Sequence, residues 1–340
     1  MKVLPVALVL TVLSGLAQAQ VADAPGGLVV GSGNFFSPIV RDLHKAVAFY
    51  RDGLGLEVQG EPADADANPA LRNMFGLPDA HIRWMVARPP GMKTGVEIVE
   101  ISEASGKPLQ RRMQDSGAFT FIVFVRDLDA TLARVKALGA PVVSTGPVPA
   151  TLPFGAQKTR MVMVQDPDGH FVELVQPDEM PAHEAPATAN VVDVRVRLTV
   201  EDVDRSVRLY RDTLGLKVMN EPAWHDDPLV SAAFGMSGAQ YRAAIMRVPT
   251  SGLTFEVIDF KGVDRRQVHG RLQDPGSTRI QLRVRDVDAA IAAFKQFGGE
   301  VVSTGGAPLA LPVPGSTIKV AIVREPDNLF VVLIGAPPGK

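Results

Sequence analysis

Cysteine is absent from all 340 residues, so thiolate nucleophiles, thiolate metal sites and disulfides are excluded at the outset. Carboxylates, six histidines and a set of regularly spaced arginines remain for chemistry. Strand alternation sets Arg195 and Arg197 on one side of one apolar run, and Arg279, Gln281 and Arg283 on one side of another. Guanidinium forks gathered in this way suit a carboxylate or phosphate, which they bind bidentately. Arg242 adds a further cation and Glu256 one compensating anion; an internal arginine–glutamate network is the rival reading. Among the histidines, His81 heads the run His81–Arg88, whereas His44, His170, His183, His225 and His269 fall in helix-start, turn or loop stretches.

The elements that must position these residues are written as a repeat. Val40-Arg41-Asp42-Leu43, followed by Phe49-Tyr50-Arg51-Asp52-Gly53-Leu54-Gly55-Leu56, returns as Val200-Glu201-Asp202-Val203 and Leu209-Tyr210-Arg211-Asp212-Thr213-Leu214-Gly215-Leu216. Glu61-Pro62-Ala63 returns at Glu221, Gln114-Asp115 at Gln273, and Val142-Val143-Ser144-Thr145-Gly146 at Val301, so the two halves are duplicates roughly 160 residues apart. Each half divides again, because Val125-Arg126-Asp127-Leu128 and Val284-Arg285-Asp286-Val287 repeat the same start. At all four places a β-rich run ends in an Asp able to cap a helix, apolar residues follow at helical spacing, and a glycine (Gly55, Gly139, Gly215, Gly298) ends the helix. Three strand-like runs come next; in the second module Asp168-Gly169 makes a tight turn between Arg160–Gln165 and His170–Val175. The pattern is α+β: four βαβββ modules.

Around the repeats, Lys2, the apolar run from Val3 to Leu13 and Ala17-Gln18-Ala19 read as a secretory signal peptide over residues 1–19, too short in its apolar part to span a bilayer. Residues 20–33 read as a flexible leader, 34–176 as a first domain, 177–189 as a linker and 190–336 as a second domain. A periplasmic or secreted protein is expected, with no membrane association after cleavage. A net charge of −2, with both signs interspersed, gives no reason to expect nucleic acid or an anionic surface as partner.

The strand-Asp-helix start with Phe49-Tyr50 and Leu54-Gly55, the Phe75-Gly76, Arg83 and Glu97 segment, and Asp166-Pro167-Asp168-Gly169 ahead of Glu173-Leu174 resemble the vicinal-oxygen-chelate (glyoxalase/bleomycin-resistance/dioxygenase) superfamily. The resemblance covers nearly all of the chain after the leader. It implies two domains, each an open cup of mixed sheet made from two modules, with a divalent metal chelating two neighbouring oxygens of a substrate. Family ligands come from His or Gln at the head of each first strand and Glu on each last strand.

Carried over, the first-strand position falls on Phe35, Thr120, Arg195 and Arg279, and the last-strand position on Glu97, Glu173, Glu256 and Val332. None of the first four is a usual metal ligand. No cofactor is therefore expected, with one compensating arrangement open. If Ile82, Trp84 and Val86 face the helix, then His81, Arg83 and Met85 face the cup, and His81 could join Glu97 and Glu173 around a metal. Phe35, Ser37, Ile39, Thr120 and Phe124 would complete a mixed apolar and polar lining.

The residues expected to touch a small-molecule ligand are His81, Arg83, Glu97, Thr120, Glu173, Arg195, Arg242, Glu256 and Arg279. The N-terminal cup is expected to be acidic to neutral, and the C-terminal cup cationic and open to a small anion. Three function classes follow: a metal-free binder of a small organic ligand, a metal-dependent lyase, isomerase or dioxygenase, or a structural or partner-binding protein with vestigial cups.

Overall fold

A computed structural model of the chain describes residues 27–102, 108–154 and 157–335. The expected signal peptide lies outside them. No helix among them is long and apolar enough to cross a membrane.

All four modules form as the repeat predicts, and for the expected local reasons. Asp42 accepts from Lys45 N at 3.0 Å, Asp127 from Ala130 N at 2.9 Å, Asp202 from Asp204 N at 2.8 Å and Asp286 from Asp288 N at 2.9 Å, each satisfying a helix N–H that would otherwise lack a partner. Each helix is followed by its glycine at positive φ: Gly55, Gly139 and Gly215 at 86°, Gly298 at 91°. An added Cβ would be strained there. In the first and third modules the helix widens into a π turn, Phe49–Gly53 and Arg208–Thr213.

The modules do not pair within each half. One sheet of eleven strands joins the first module to the fourth, and one of eight joins the second to the third. At the first junction Ser37–Val40 runs antiparallel to Thr278–Val284, with Arg279 opposite Ser37. At the second, Phe119–Val125 runs antiparallel to Val191–Thr199, with Arg197 opposite Thr120 and Arg195 opposite Ile122. The expected domains 34–176 and 190–336 are therefore not the units that close a cup; each cup draws one module from each half. The reason lies in the connections. The segments leaving the first and third modules cross between the sheets side by side: Leu109 N donates to Pro275 O at 2.8 Å, Ser116 bridges Gln267, and Arg111 donates to Val268 O and Gly276 O. The second and third modules follow one another directly through the linker and so meet edge to edge.

Two further boundaries shift. Within the expected flexible leader, Val29–Ser32 adds as a strand to Thr278–Val284 of the fourth module. Within the expected linker, Met180 and Ala185 pack on Ile122, Phe124, Val175 and Val192, over one end of the second cup.

The largest apolar cluster lies on the helix side of both sheets and includes Leu43, Tyr50, Phe121, Leu128, Tyr210 and Phe294. The opposite faces, which form the inside of the cups, carry their own clusters: Phe75, Ile82, Val99 and Val332 in the first, Met163, Phe234, Tyr241 and Ile258 in the second.

Candidate functional sites in the two cups

The parity of the strand His81–Arg88 is opposite to the expected one. Ile82 and Trp84 belong to the cup-side cluster, while Met85 packs against the helix-side core. His81 is exposed and pairs with Asp66 at 2.7 Å. Arg83 holds Glu100 with its Nη2 at 2.6 Å, and Glu100 also accepts from Leu43 N at 2.8 Å at the start of the first helix. The corresponding Arg242 does the same in the third module, bonding Asp259 at 2.9 Å while Asp259 accepts from Val203 N. Arg242 also reaches Asp204 at 2.8 Å, and its guanidinium lies 4.9 Å from the ring centre of Trp224. His81, Arg83 and Arg242 are thus framework or surface residues, not cup residues. Trp84, the bulkiest side chain of its strand, lines the cavity where a core position is expected, and this reverses the parity of the strand.

Inside the first cup, three donors converge on one carboxylate oxygen. Arg279 Nη2 and Gln281 Nε2 both donate to Glu97 Oε2 at 2.9 Å, and Ser37 Oγ donates to the same oxygen at 3.3 Å. Gln281 is fixed in turn because its Oε1 accepts from Asn34 N at 2.9 Å. The Arg279 side chain is 1% exposed and that of Glu97 17%. Burial lowers the Arg279 pKa from its ordinary value, with Glu97 opposing that shift. The guanidinium carbon lies 4.4 Å from the ring centre of Phe75, and among the described residues Arg279 Nε has no hydrogen-bond partner. Above this floor opens a cavity of about 170 Å³, walled by Leu71, Met74, Phe75 and Trp84 from the first module and by Leu311, Ile318 and Val332 from the fourth.

The second cup centres on an ion triad. Arg197 donates through Nη1 to Glu173 Oε2 and through Nε to Glu256 Oε2, the latter at 2.7 Å. The Arg197 side chain is 3% exposed and that of Glu173 2%. Burial opposes the charge on Arg197, yet its two carboxylates outweigh that and its pKa stands above the ordinary value. Glu256 is pushed up by burial and, behind it, by the charge of Glu173. The Arg197 guanidinium lies 5.0 Å from the ring centre of Phe234. Thr120 Oγ1 donates to Met113 Sδ at 3.4 Å. Arg195 also lies on the cup face, 3.5 Å from Asp193 and with its guanidinium 4.5 Å from the ring centre of Phe124.

The expected metal set therefore does not assemble: Glu97 is in the first cup, Glu173 in the second and His81 on the surface. Among the described residues, no three His, Asp or Glu side chains converge as metal ligands. Between Glu173 and Glu256, where a divalent ion would need both carboxylates, the guanidinium of Arg197 already takes an oxygen from each. These residues do not fit the family's ion. The expected cationic C-terminal cup is not formed either, since Arg195 lies in one cup, Arg279 in the other and Arg242 outside both. Phe35 is not a lining residue; it stacks on Phe121 in the helix-side core at 5.9 Å.

Arg197, Gln281 and Ser37 are cup residues that the first-strand position passed over, because the position level with the glutamates stands two residues later. The parallel register sets Arg197 beside Glu256. The alternation of Arg195 with Arg197 sets Arg197 on this face from the sequence alone. A further network links modules: buried His170 bonds Asp166 at 2.9 Å and Ser277 O at 3.0 Å, and Asp166 accepts from Tyr50 Oη at 2.9 Å.

With cups, helices and site positions in place, the class of protein is defined. The family model for the Glyoxalase/Bleomycin resistance protein/Dioxygenase superfamily matches residues 34–174 and 194–327, and the chain belongs to that superfamily. It is 24% identical over 300 residues to an Arabidopsis thaliana protein named "Probable lactoylglutathione lyase, chloroplastic", spanning 87% of this chain and 70% of that one. It is 26% identical to a lactoylglutathione lyase of Oryza sativa subsp. japonica, over 54% of each chain. Among solved structures, glyoxalase I from Zea mays shares the fold with a TM-score of 0.55 at 19% identity, covering 89% of this chain and 92% of that one.

Proposed function

We propose that this chain binds a small organic ligand in the cup of the first and fourth modules, without the metal that its superfamily uses. One observation carries the reading: an apolar-walled cavity opens over Arg279, Glu97 and Gln281, at the place in the fold where the family's chemistry occurs. Apolar walls with a few fixed polar groups are the ordinary make-up of a small-molecule site. Its rival, a metal-dependent lyase, is favoured by the names of the curated relatives. Against it stand Arg279, already paired with Glu97 in the first cup, and Arg197 between the two glutamates of the second. Export belongs to the same proposal and rests on Lys2, the apolar run Val3 to Leu13 and Ala17-Gln18-Ala19; it predicts a mature N-terminus at Gln20.

The test has two parts. Protein purified without chelator should carry no stoichiometric zinc, nickel, iron or manganese by elemental analysis. A ring-sized fragment set screened by ligand-observed NMR should give binders that are lost when Val332→Phe fills the cavity. Full metal occupancy that disappears in Glu173→Ala protein would restore the enzyme reading.

A further inference from the structure

The free hydrogen-bonding positions in the first cup say what kind of head group it takes. All three donors to Glu97, which lines the cavity, fall on Oε2, so among the described residues Oε1 is left as an acceptor. Among the described residues Arg279 donates only through Nη2, so its guanidinium keeps further N–H donors at the cavity; Nε also lacks a partner but is itself buried. Gln281 is held at both ends, its Oε1 by Asn34 N and its Nε2 on Glu97, and keeps a second amide N–H for a ligand.

Charge matters as much as geometry. Arg279 and Glu97 already form a pair at 2.9 Å, so the floor as a whole is neutral. An anionic ligand would add a second negative charge beside Glu97 with one buried cation between them. A cationic ligand would face Arg279 in the same way. Both arrangements leave a charge uncompensated in a poorly hydrated place, whereas a neutral group that donates and accepts completes the pair. Size is set by the walls: the cavity has about 170 Å³, and an apolar cavity of about 150 Å³ is known to hold benzene. Phe75 and Trp84 supply ring faces for an aromatic body.

We propose that this cup selects a neutral, ring-sized amphipathic molecule whose polar head donates to Glu97 Oε1 and accepts from Arg279, and that it discriminates against the corresponding carboxylate. This rests on the pocket reading given above.

Benzamide and benzoate, equal in shape and different in charge, test it. Trp84 lies in the cavity wall and reports occupancy once Trp224, the second of the two tryptophans, is changed by Trp224→Phe. At neutral pH benzamide should give a saturable change in Trp84 emission, with benzoate binding about tenfold or more weakly, since a buried uncompensated charge costs at least that much. Glu97→Gln removes the resident anion and should shift the preference toward benzoate. Benzoate binding as tightly as benzamide in the Trp224→Phe protein would overturn the head-group assignment while leaving the pocket reading intact. An unchanged preference in a folded Glu97→Gln protein would also overturn it. Binding of neither probe would remove the pocket reading and this inference together. If Glu97→Gln does not fold, the comparison in the Trp224→Phe protein decides alone.

Discussion

The two cups are built on the same ladder and have opposite interiors. Each has a central antiparallel rung that carries one arginine: Ser37 opposite Arg279 in the first, Arg197 opposite Thr120 in the second. The arginine stands on the fourth module's strand in one cup and on the third module's strand in the other. In both it lies over the phenylalanine that ends a short helix, Phe75 after Pro69–Met74 and Phe234 after Pro228–Ala233. What differs is the number of carboxylates. The second cup keeps Glu173 and Glu256, and Arg197 clamps both with almost no exposure. The first has Val332 in place of one of them, so a single carboxylate holds Arg279 and a cavity remains beside the pair. The lost carboxylate at Val332, together with the arginine's move to the other strand, separates an interior ion triad from a site with free donor and acceptor positions.

The comparison can be broken at its centre. Arg197→Ala leaves Glu173 and Glu256 buried without a cation, and should lower the unfolding free energy in urea by about 3–5 kcal/mol. Arg279→Ala leaves only Glu97, which is partly solvated and keeps Gln281 and Ser37 as donors, so its cost should be about 1–3 kcal/mol. Equal losses would mean that the two cups are energetically alike and that the contrast drawn between them is wrong.

A second contrast lies at the module junctions. His170 in the second module corresponds to Leu329 in the fourth. Burial works against the His170 charge, but Asp166 more than offsets it and raises the pKa above the ordinary histidine value. The sign follows: the charged ring stabilises the fold fully below the ordinary histidine range, and that contribution is lost as pH rises through the elevated folded value. Asp166 is shifted the other way; burial opposes its charge, yet His170 and the hydrogen bonds it accepts hold it below the usual carboxylate range, so its contribution is lost on acidification. Urea midpoints measured from mildly acidic to alkaline pH should therefore fall on the alkaline side, and His170→Leu protein should show a flatter alkaline arm. An unchanged slope would place His170 outside the titrating groups.

The smallest effects should be the same in both cups. Asp42→Ala and Asp286→Ala each remove one helix cap in the first sheet, and Asp127→Ala and Asp202→Ala one each in the second; each should cost about 1 kcal/mol. A cap worth several times more in one sheet would show that the framework is not shared.

Local chemistry was decided by the sequence itself. The aspartate caps, the glycines at positive φ, the four-module count and the superfamily membership all follow from short-range patterns, because capping and turn conformation depend on residues within a few positions of one another. Arg195 and Arg279 were also legible as cup residues through alternation. Which modules share a cup was not, since the framework motif is the same in all four and any first strand could pair with any other; only the crossing of the segments near Leu109 and Gln267 settles it. For the same reason Glu97 and Glu173, one module apart in sequence, end in different cups. The face of Trp84 was likewise beyond the sequence, because a large apolar side chain suits a core and a ligand cavity equally well. Parity alone cannot separate two apolar faces of one strand; the packing of the short helix Pro69–Met74 over the sheet makes one of them a pocket.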